Sequence, residues 1–165
     1  KVRDIFLFCC FTGFDYSTTA ALTEKNIVTD DEGALWIETH RIKTGTPSKV
    51  KLLDIPLSIL KKYELRRDGN FLLPVMSNAK YNLYLKEIAS ICGIEKRVTS
   101  HLARHTFATT VTYANGVSIE SISKMLGHTK LSTTQIYARI VDKTISYEMD
   151  KLAEKLSDTK FSSNL

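Results

Sequence analysis

Residues 101–137, HLARHTFATTVTYANGVSIESISKMLGHTKLSTTQIY, hold the most informative pattern in the chain. They predict three consecutive helices, since apolar residues recur at helical spacing and glycines stand at the stops. The first helix begins at Thr99 or Ser100, the second spans 118–126, and the third begins at Ser132 in a capping-box pattern. His101 and Arg104 share one face of the first helix, because side chains three residues apart are neighbours there.

Upstream of this region the hydrophobic period changes to two, which predicts three short strands at 26–28, 35–40 and 50–55. Turns at 30–33 and 45–47 separate the strands and favour antiparallel pairing. The pattern also predicts helices at 5–11, 17–22, 56–66 and 78–92. A last amphipathic helix is expected from Asp142, with Ile145, Met149, Leu152 and Leu156 on one face. The predicted fold class is mainly α with one small antiparallel three-stranded sheet.

The composition is that of one ordinary globular domain: 165 residues, 43% hydrophobic and 25% charged. We expect residues 1–157 to form this domain and 158–165 to form a flexible polar tail. No apolar run reaches the roughly 18 residues of a membrane span, and the N-terminus lacks a secretory pattern, so a cytoplasmic protein is expected. Three cysteines without CxxC spacing favour neither a disulfide framework nor a zinc site. The abrupt start at Lys1, inside an apolar helix pattern, is typical of an excised domain.

Positive charge is concentrated in two segments, although the net charge of the chain is only +5. Residues 39–51 contain four Lys or Arg residues and no acid, and residues 96–141 contain six against Glu120 alone. Two basic patches on a neutral-to-acidic body favour a polyanionic partner such as a nucleic acid. A solvated basic face is the alternative.

Several residues could carry chemistry, and each has an ordinary structural alternative. The HLARH string has the H-x-x-x-H spacing of zinc proteases, but Leu102 stands where that motif needs Glu, so no metal site is predicted. His105 alone is typical of a packed core histidine, and His128 alone of a cation at a helix C-terminus. Tyr137 alone is typical of an amphipathic core residue. Together with Arg104, these residues supply the donors and the nucleophile that metal-free phosphoryl transfer requires.

In order and spacing, these residues resemble the catalytic domain of tyrosine recombinases, the phage integrase family, and in particular the integrases of conjugative and mobilisable elements. The resemblance covers nearly the whole chain. Its most specific parts are the H-x-x-R of His101 and Arg104, the block at 125–128, and Tyr137 nine residues after His128. The hairpin sequence at 43–45, leading to 55–57, adds to them.

The resemblance implies a site-specific DNA strand transferase that needs no metal or cofactor. Tyr137 would attack the scissile phosphate and form a 3′-phosphotyrosine, with Lys43 as general acid for the leaving 5′ oxygen. Arg104 and His128 would hold the nonbridging oxygens, and His101 would take the tyrosine proton or position the phosphate. Further basic residues would bind the DNA: Arg41, Lys49, Lys51, Lys124 and Lys130.

The family also implies partners beyond this chain. The partners would be double-stranded DNA and further copies of the protein, a tetramer in the synaptic complex, whereas the isolated fragment would be a monomer. Family members usually carry an N-terminal domain that completes a clamp around DNA. Their last helix commonly docks on a neighbouring protomer, and the stripe that begins at Ile145 could do so or fold back in cis.

At one position the sequence departs from the family pattern. The family has its first catalytic arginine in a Thr-Gly-Leu-Arg stretch, whereas residues 12–15 here read Thr-Gly-Phe-Asp. A carboxylate about 4 Å from a phosphate would repel it by roughly 4 kcal/mol at an effective dielectric near 20, so Asp15 cannot replace the arginine chemically. Another cation could fill the gap, with Arg3 preferred to Lys25 because guanidinium binds phosphate bidentately. The alternatives are a DNA-binding module that cleaves poorly and a slow enzyme.

Overall fold

The computed structural model describes residues 1–66, 69–138 and 149–154. In chain order, the helices and strands are α1 Val2–Thr12, α2 Tyr16–Ala21, β1 Ile27–Thr29, β2 Leu35–His40, β3 Pro47–Lys51, α3 Asp54–Tyr63, α4 Asn78–Ile91, α5 Ser100–Thr106, α6 Ile119–Met125 and α7 Ser132–Ala138. Short 3₁₀ turns lie at Glu24–Asn26, Glu64–Arg66 and Tyr113–Asn115. The predicted fold class, mainly α with one small antiparallel sheet, is confirmed.

The three strands form one antiparallel sheet in the order β1-β2-β3. Glu38 pairs with Lys49 and His40 with Pro47, so the β2–β3 hairpin closes through residues 41–46. β3 therefore begins three residues before the predicted start and ends at Lys51 rather than 55. Proline is tolerated at the first position of a strand, which allows β3 to start at Pro47. The chain then enters α3 at Asp54, so the predicted end of the strand was wrong.

The helical path of the chain continues beyond the α-helical hydrogen bonding of α5. It continues as a π-helical stretch, Phe107–Thr112, and stops at Gly116, which has a φ of 80°. The hydroxyl of Thr112 donates to the carbonyls of Phe107 and Ala108 and so supports the wider turn. π-Helical turns occur frequently next to functional sites.

α1 packs against α3, α4 and α5 and contributes to both hydrophobic clusters of the domain. One cluster joins the sheet to the helical half through Phe8, Phe14, Ile37, Phe107 and Leu126. The other fills the space between α1 and α4, around Ile5, Cys9, Tyr81 and Leu85. The C-terminal ends of α1 and α6 both contact α5, through the side chain of Arg104. In the described part of the chain, no helix is long and apolar enough to cross a membrane.

Two predictions about helix ends need qualification. Ser132 lies in the first turn of α7 rather than at its N-cap, because the amides of Thr134 and Gln135 bond to the carbonyl of Leu131. Residues 149–154 are helical, and Met149 and Leu152 are exposed there. The rest of the predicted stripe, Ile145 and Leu156, and the expected domain boundary at 157 lie outside the described residues.

Candidate active site

Arg104 lies at the centre of the candidate site and joins three segments of the fold. Its side chain is 3% exposed. Nη1 donates to the carbonyl oxygen of Gly13 at 2.7 Å, at the end of α1, and Nη2 donates to the carbonyl oxygen of Leu126, at the end of α6. Burial lowers the pKa of Arg104 to about 10, and the nearby charge of Arg41 acts in the same direction. The guanidinium is therefore still charged at neutral pH.

His128 follows the end of α6 and is held from the other side by α7. Its Nδ1 lies 2.7 Å from the hydroxyl of Thr134, which is fully buried one turn before Tyr137. Burial, together with the charges of Arg104 and Arg41, lowers the pKa of His128 to about 4. The ring is therefore neutral near pH 7. When the Thr134 hydroxyl donates to Nδ1, Nε2 carries the proton and can donate to an anion.

Tyr137 is buried in the interior of the site, with only 3% of its surface exposed. Its ring meets the ring of His105 edge-on at 5.2 Å between centroids, and His105 meets His101 in the same way at 4.6 Å. Burial raises the pKa of Tyr137 despite the opposing charges of Arg104 and Arg41. The resting phenol is therefore protonated at neutral pH, and a nucleophilic attack requires a base.

The two histidines of the α5 face can accept a proton at neutral pH. Burial lowers the pKa of His101, as do the charges of His105, Arg104, Lys43 and Arg41. Burial also lowers the pKa of His105, and the charges of Arg104 and Lys96 act in the same direction. His105, and not His101, is the ring in direct contact with Tyr137.

The β2–β3 hairpin brings two cations to the same place. Arg41 directly follows β2, and its amide donates to the carbonyl of Thr46 at 2.8 Å across the hairpin. Lys43 is exposed in the turn, close enough for its charge to lower the pKa of His101. The hairpin is fixed against α6, because the Ser48 hydroxyl donates to the carbonyl of Met125.

Gly127 allows the hairpin to approach α6 this closely. It has a φ of 60°, and a Cβ at this position would lie 3.2 Å from the carbonyl oxygen of Pro47. Hairpin and helix end therefore meet backbone to backbone, which sets the position of Arg41 and Lys43 relative to His128.

Asp15 is buried, and both of its carboxylate oxygens contact other groups of the protein. Oδ1 accepts the amide of Thr18 at 2.9 Å and so caps α2, and Oδ2 lies 3.4 Å from Nε of Arg41. Burial raises the pKa of Asp15, but the hydrogen bonds from Thr18 and the charges of Arg104 and Arg41 outweigh it, so the net pKa lies below its usual range. The carboxylate is ionised and ion-paired at neutral pH.

Arg3 lies away from this cluster. It stands in the first turn of α1, ten residues before Gly13, which is about 15 Å along a helix axis. Its side chain is 72% exposed and pairs with Asp4 at 3.0 Å. The structure therefore does not bring Arg3 to Asp15, and the side chain that pairs with Asp15 is Arg41. Lys25 is exposed in the turn that precedes β1.

The other basic residues predicted to bind DNA lie on the surface around the cluster. Lys49 pairs with Glu38 at 2.7 Å, and its Nζ lies 5.0 Å from the centre of the Trp36 ring, with Lys51 on the same ring at 5.8 Å. An open groove of about 940 Å³ runs from the sheet to the end of α6. Its lining includes Lys25, Lys49, Lys124 and His128. Lys130 is exposed in the loop before α7.

Sequence reasoning missed three members of the cluster. Arg41 was predicted only as a general DNA contact, whereas it is 20% exposed and faces Asp15. His105 was interpreted as a core histidine, and Thr134 was noted only as part of a capping pattern. For Arg41 a signal existed, since it stands two residues before Lys43 at the end of a strand. Within residues 1–66, 69–138 and 149–154, no three His, Cys, Asp or Glu side chains come together where they could hold a metal ion.

Comparison with protein-family models identifies the phage integrase family over residues 1–144. Tyrosine recombinase XerA of Thermococcus onnurineus is 33% identical over 153 residues, which cover 85% of this chain and 52% of that protein. Tyrosine recombinase XerD of Listeria monocytogenes is 37% identical over 101 residues, 59% of this chain and 34% of that protein. The chain thus spans between a third and about half of the length of these relatives.

Solved structures share the fold at lower identity. XerH recombinase bound to its palindromic difH substrate, in a post-cleavage complex, matches 90% of this chain and 45% of its own, with a TM-score of 0.72 and 22% identity. The catalytic domain of bacteriophage HP1 integrase matches 98% of this chain and 83% of its own, with a TM-score of 0.61 and 20% identity. These likenesses confirm the fold that the sequence predicted.

Proposed function

The chain belongs to the phage integrase family, and on that premise we propose that it cleaves and rejoins double-stranded DNA at a specific site, with Tyr137 as nucleophile. The observation that carries the proposal is the convergence of Tyr137, Arg104 and His128 at one point. Buried hydrogen bonds join Arg104 to the ends of α1 and α6, and His128 bonds to Thr134, one turn before Tyr137. Such a prearranged set of donors is what stabilises the extra charge of a phosphoryl-transfer transition state.

In the proposed first step, the phenol oxygen of Tyr137 attacks the scissile phosphorus and the bond to the 5′ oxygen breaks. Since the pKa of Tyr137 is raised, its proton must leave as the new bond forms. The resemblance implies that His101 takes this proton or positions the phosphate, and His105, which touches the Tyr137 ring, is a second neutral imidazole beside it. Arg104 and Nε2–H of His128 bind the nonbridging oxygens.

Lys43 gives its proton to the departing 5′ oxygen, so the DNA strand ends in a free 5′ hydroxyl and the protein carries the 3′ phosphate. No oxidant, nucleotide or other reactant is consumed, because the phosphodiester is exchanged for a phosphotyrosine ester. In the reverse step, a 5′ hydroxyl from another strand attacks the phosphotyrosine, Lys43 takes back a proton, and Tyr137 leaves. Exchange of strands between two DNA sites is recombination.

The basic groove beside the cluster supports a duplex partner. It joins Lys49 and Lys124 to His128, so that a backbone bound along it would pass the site. Assembly into a tetramer on two DNA sites, with a further domain closing around the DNA, completes the proposal.

The proposal is tested with the complete gene product and nicked duplexes that tile the DNA flanking its gene. A nick next to the scissile position lets the short cleaved product diffuse away, which traps the covalent complex. We expect a protein–DNA band that survives denaturation for the natural protein and no band for Tyr137→Phe, with equal DNA binding by the two proteins.

The alternative is a DNA-binding module whose cleavage was lost, and the buried carboxylate of Asp15 within the cluster favours it. It predicts salt-dependent DNA binding, indifferent to Tyr137→Phe, and no covalent band on any duplex of the set. That result would contradict the proposed cleavage and leave DNA binding as the function.

A further inference from the structure

The site contains a second guanidinium that the family pattern does not place there. Given the proposed cleavage, on which this rests, we infer that Arg41 is the second arginine that binds the scissile phosphate and that Asp15 is the residue that positions it. The guanidinium reaches the site from the β2–β3 hairpin instead of from the segment that follows α1.

Arg41 is held at one end and free at the other. Its Nε lies 3.4 Å from Oδ2 of Asp15, and its backbone amide is fixed by the carbonyl of Thr46. Among the described residues, no group accepts a hydrogen bond from its two terminal nitrogens. One fifth of the side chain is exposed, so Arg41 is not sealed within the core. A fork with two unused donors is suited to bidentate contact with a phosphate.

The charge of Arg41 also acts on the groups that the proposed reaction uses. It lowers the pKa of Arg104 and of His128 and opposes the burial that raises the pKa of Tyr137. Arg104 and Arg41 are thus two like charges close together, with Asp15 as the anion that acts on both. A second anion between the two guanidiniums would reduce their repulsion, and the phosphate of DNA is such an anion.

Asp15 has a role compatible with its charge. One carboxylate oxygen accepts from the amide of Thr18 and the other from Nε of Arg41. Asp15 therefore holds the arginine at Nε and leaves its terminal nitrogens available. We therefore expect loss of the carboxylate to misplace the fork rather than to help the phosphate bind.

Cleavage rates on the trapped-nick substrate test both residues in the complete protein. Arg41→Ala is expected to slow cleavage by about 10²–10³-fold with DNA binding retained. Arg3→Ala is the matched control, an exposed arginine on the same domain, and should cleave at the natural rate. Cleavage by Arg41→Ala at the natural rate would overturn the inference.

A double variant separates phosphate binding from mere neutralisation of Asp15. Asn at position 15 can still cap α2 but carries no charge, so Asp15→Asn with Arg41→Ala leaves no unpaired buried carboxylate and keeps the fold. If Arg41 binds the phosphate, the double variant stays as slow as Arg41→Ala. Recovery of the natural rate would show that Arg41 only neutralises Asp15 and would overturn the inference.

A methylphosphonate at the mapped scissile position gives the decisive readout, because it removes one negative charge from the phosphate. Arg41→Ala should then cleave within about tenfold of the natural protein, since the missing guanidinium has less charge to offset. An equal defect on both linkages would contradict the inference.

The same pair of substrates tests Asp15. Asp15→Asn should cleave the phosphodiester about tenfold or more slowly than the natural protein and should cleave the methylphosphonate at nearly the natural rate. An unchanged or faster rate on the phosphodiester would show that Asp15 does not position Arg41.

Failure of the proposed function gives a different result from failure of this inference. Absence of covalent complex with the natural protein would contradict the proposed cleavage itself. A natural protein that cleaves, with Arg41→Ala equal to it, would contradict only the assignment of Arg41.

Discussion

At the scale of single residues, burial sets the chemistry of the site before any substrate arrives. Arg104 is charged, His128 is neutral and Tyr137 is protonated at neutral pH, in each case with desolvation as the largest influence on the pKa. A neutral His128 donates one hydrogen bond without adding a third full charge next to Arg104 and Arg41. In the proposed reaction, the phosphate therefore meets two cations and one neutral hydrogen-bond donor.

The lowered pKa of His128 predicts how stability depends on pH. A histidine in an unfolded chain has a pKa of about 6.5, whereas the pKa of His128 in the folded protein is lowered to about 4. Between these values the unfolded state binds more protons, so His128 contributes stability that is present above about pH 6.5 and is lost as the pH falls toward 4.

Thermal unfolding of the complete protein at a series of pH values measures this. His128→Gln should flatten the decline between pH 6.5 and 4, although His101 and His105, whose pKa values are also lowered, keep part of the slope. A variant whose melting temperature falls as steeply as that of the natural protein would contradict the assigned pKa.

At the scale of elements, the site depends on where helices end. The C-terminal ends of α1 and α6 supply the carbonyls that hold Arg104, and the end of α6 also supports the hairpin. Helix ends leave carbonyls unsatisfied, and a buried guanidinium can satisfy several at once. The same arginine thus stabilises the junction and serves the proposed chemistry.

Gly13 is the residue on which this junction depends most. It has a φ of 71°, and a Cβ there would lie 2.4 Å from Cδ1 of Phe107 and 2.9 Å from Cδ2 of Leu126. Gly13→Ala should lower the free energy of unfolding by about 2–5 kcal/mol, because backbone strain and overpacking add. Gly33 is the matched control: its φ is 83° and nothing lies within 4 Å of a Cβ there, so Gly33→Ala should cost only about 1–2 kcal/mol.

Urea unfolding of the two variants gives the comparison. If both variants lost the same free energy of unfolding, the contacts with Phe107 and Leu126 would be relieved at no cost, contrary to the packing described.

Elements could be predicted from the sequence better than contacts between them. Helices, strands and their order follow from local periodicity and glycine stops, and residues such as Arg104 and Tyr137 follow from the family resemblance. The pairing of Asp15 with Arg41 joins residues 26 apart, one at the N-cap of α2 and one just after β2. Local patterns carry no information about such a contact, which is why the sequence favours Arg3 whereas the structure pairs Asp15 with Arg41.

At the scale of the whole molecule, the described chain brings Tyr137, two guanidiniums and three histidines into one cluster. A basic groove leads to this point from the sheet. The chain spans about half or less of the length of the curated relatives it matches, so the proposed DNA binding and strand exchange are assigned to the complete protein. The central claim is nevertheless local: one tyrosine forms one covalent bond to DNA.

The most direct measurement is the chemical identity of that bond. The trapped complex of the complete protein is digested with protease and nuclease, and its peptides are sequenced by mass spectrometry. The account predicts one peptide with a nucleotide joined through its 3′ phosphate to Tyr137, and a free 5′ hydroxyl on the released strand. A nucleotide on any other residue, or a 5′-phosphate linkage, would contradict it.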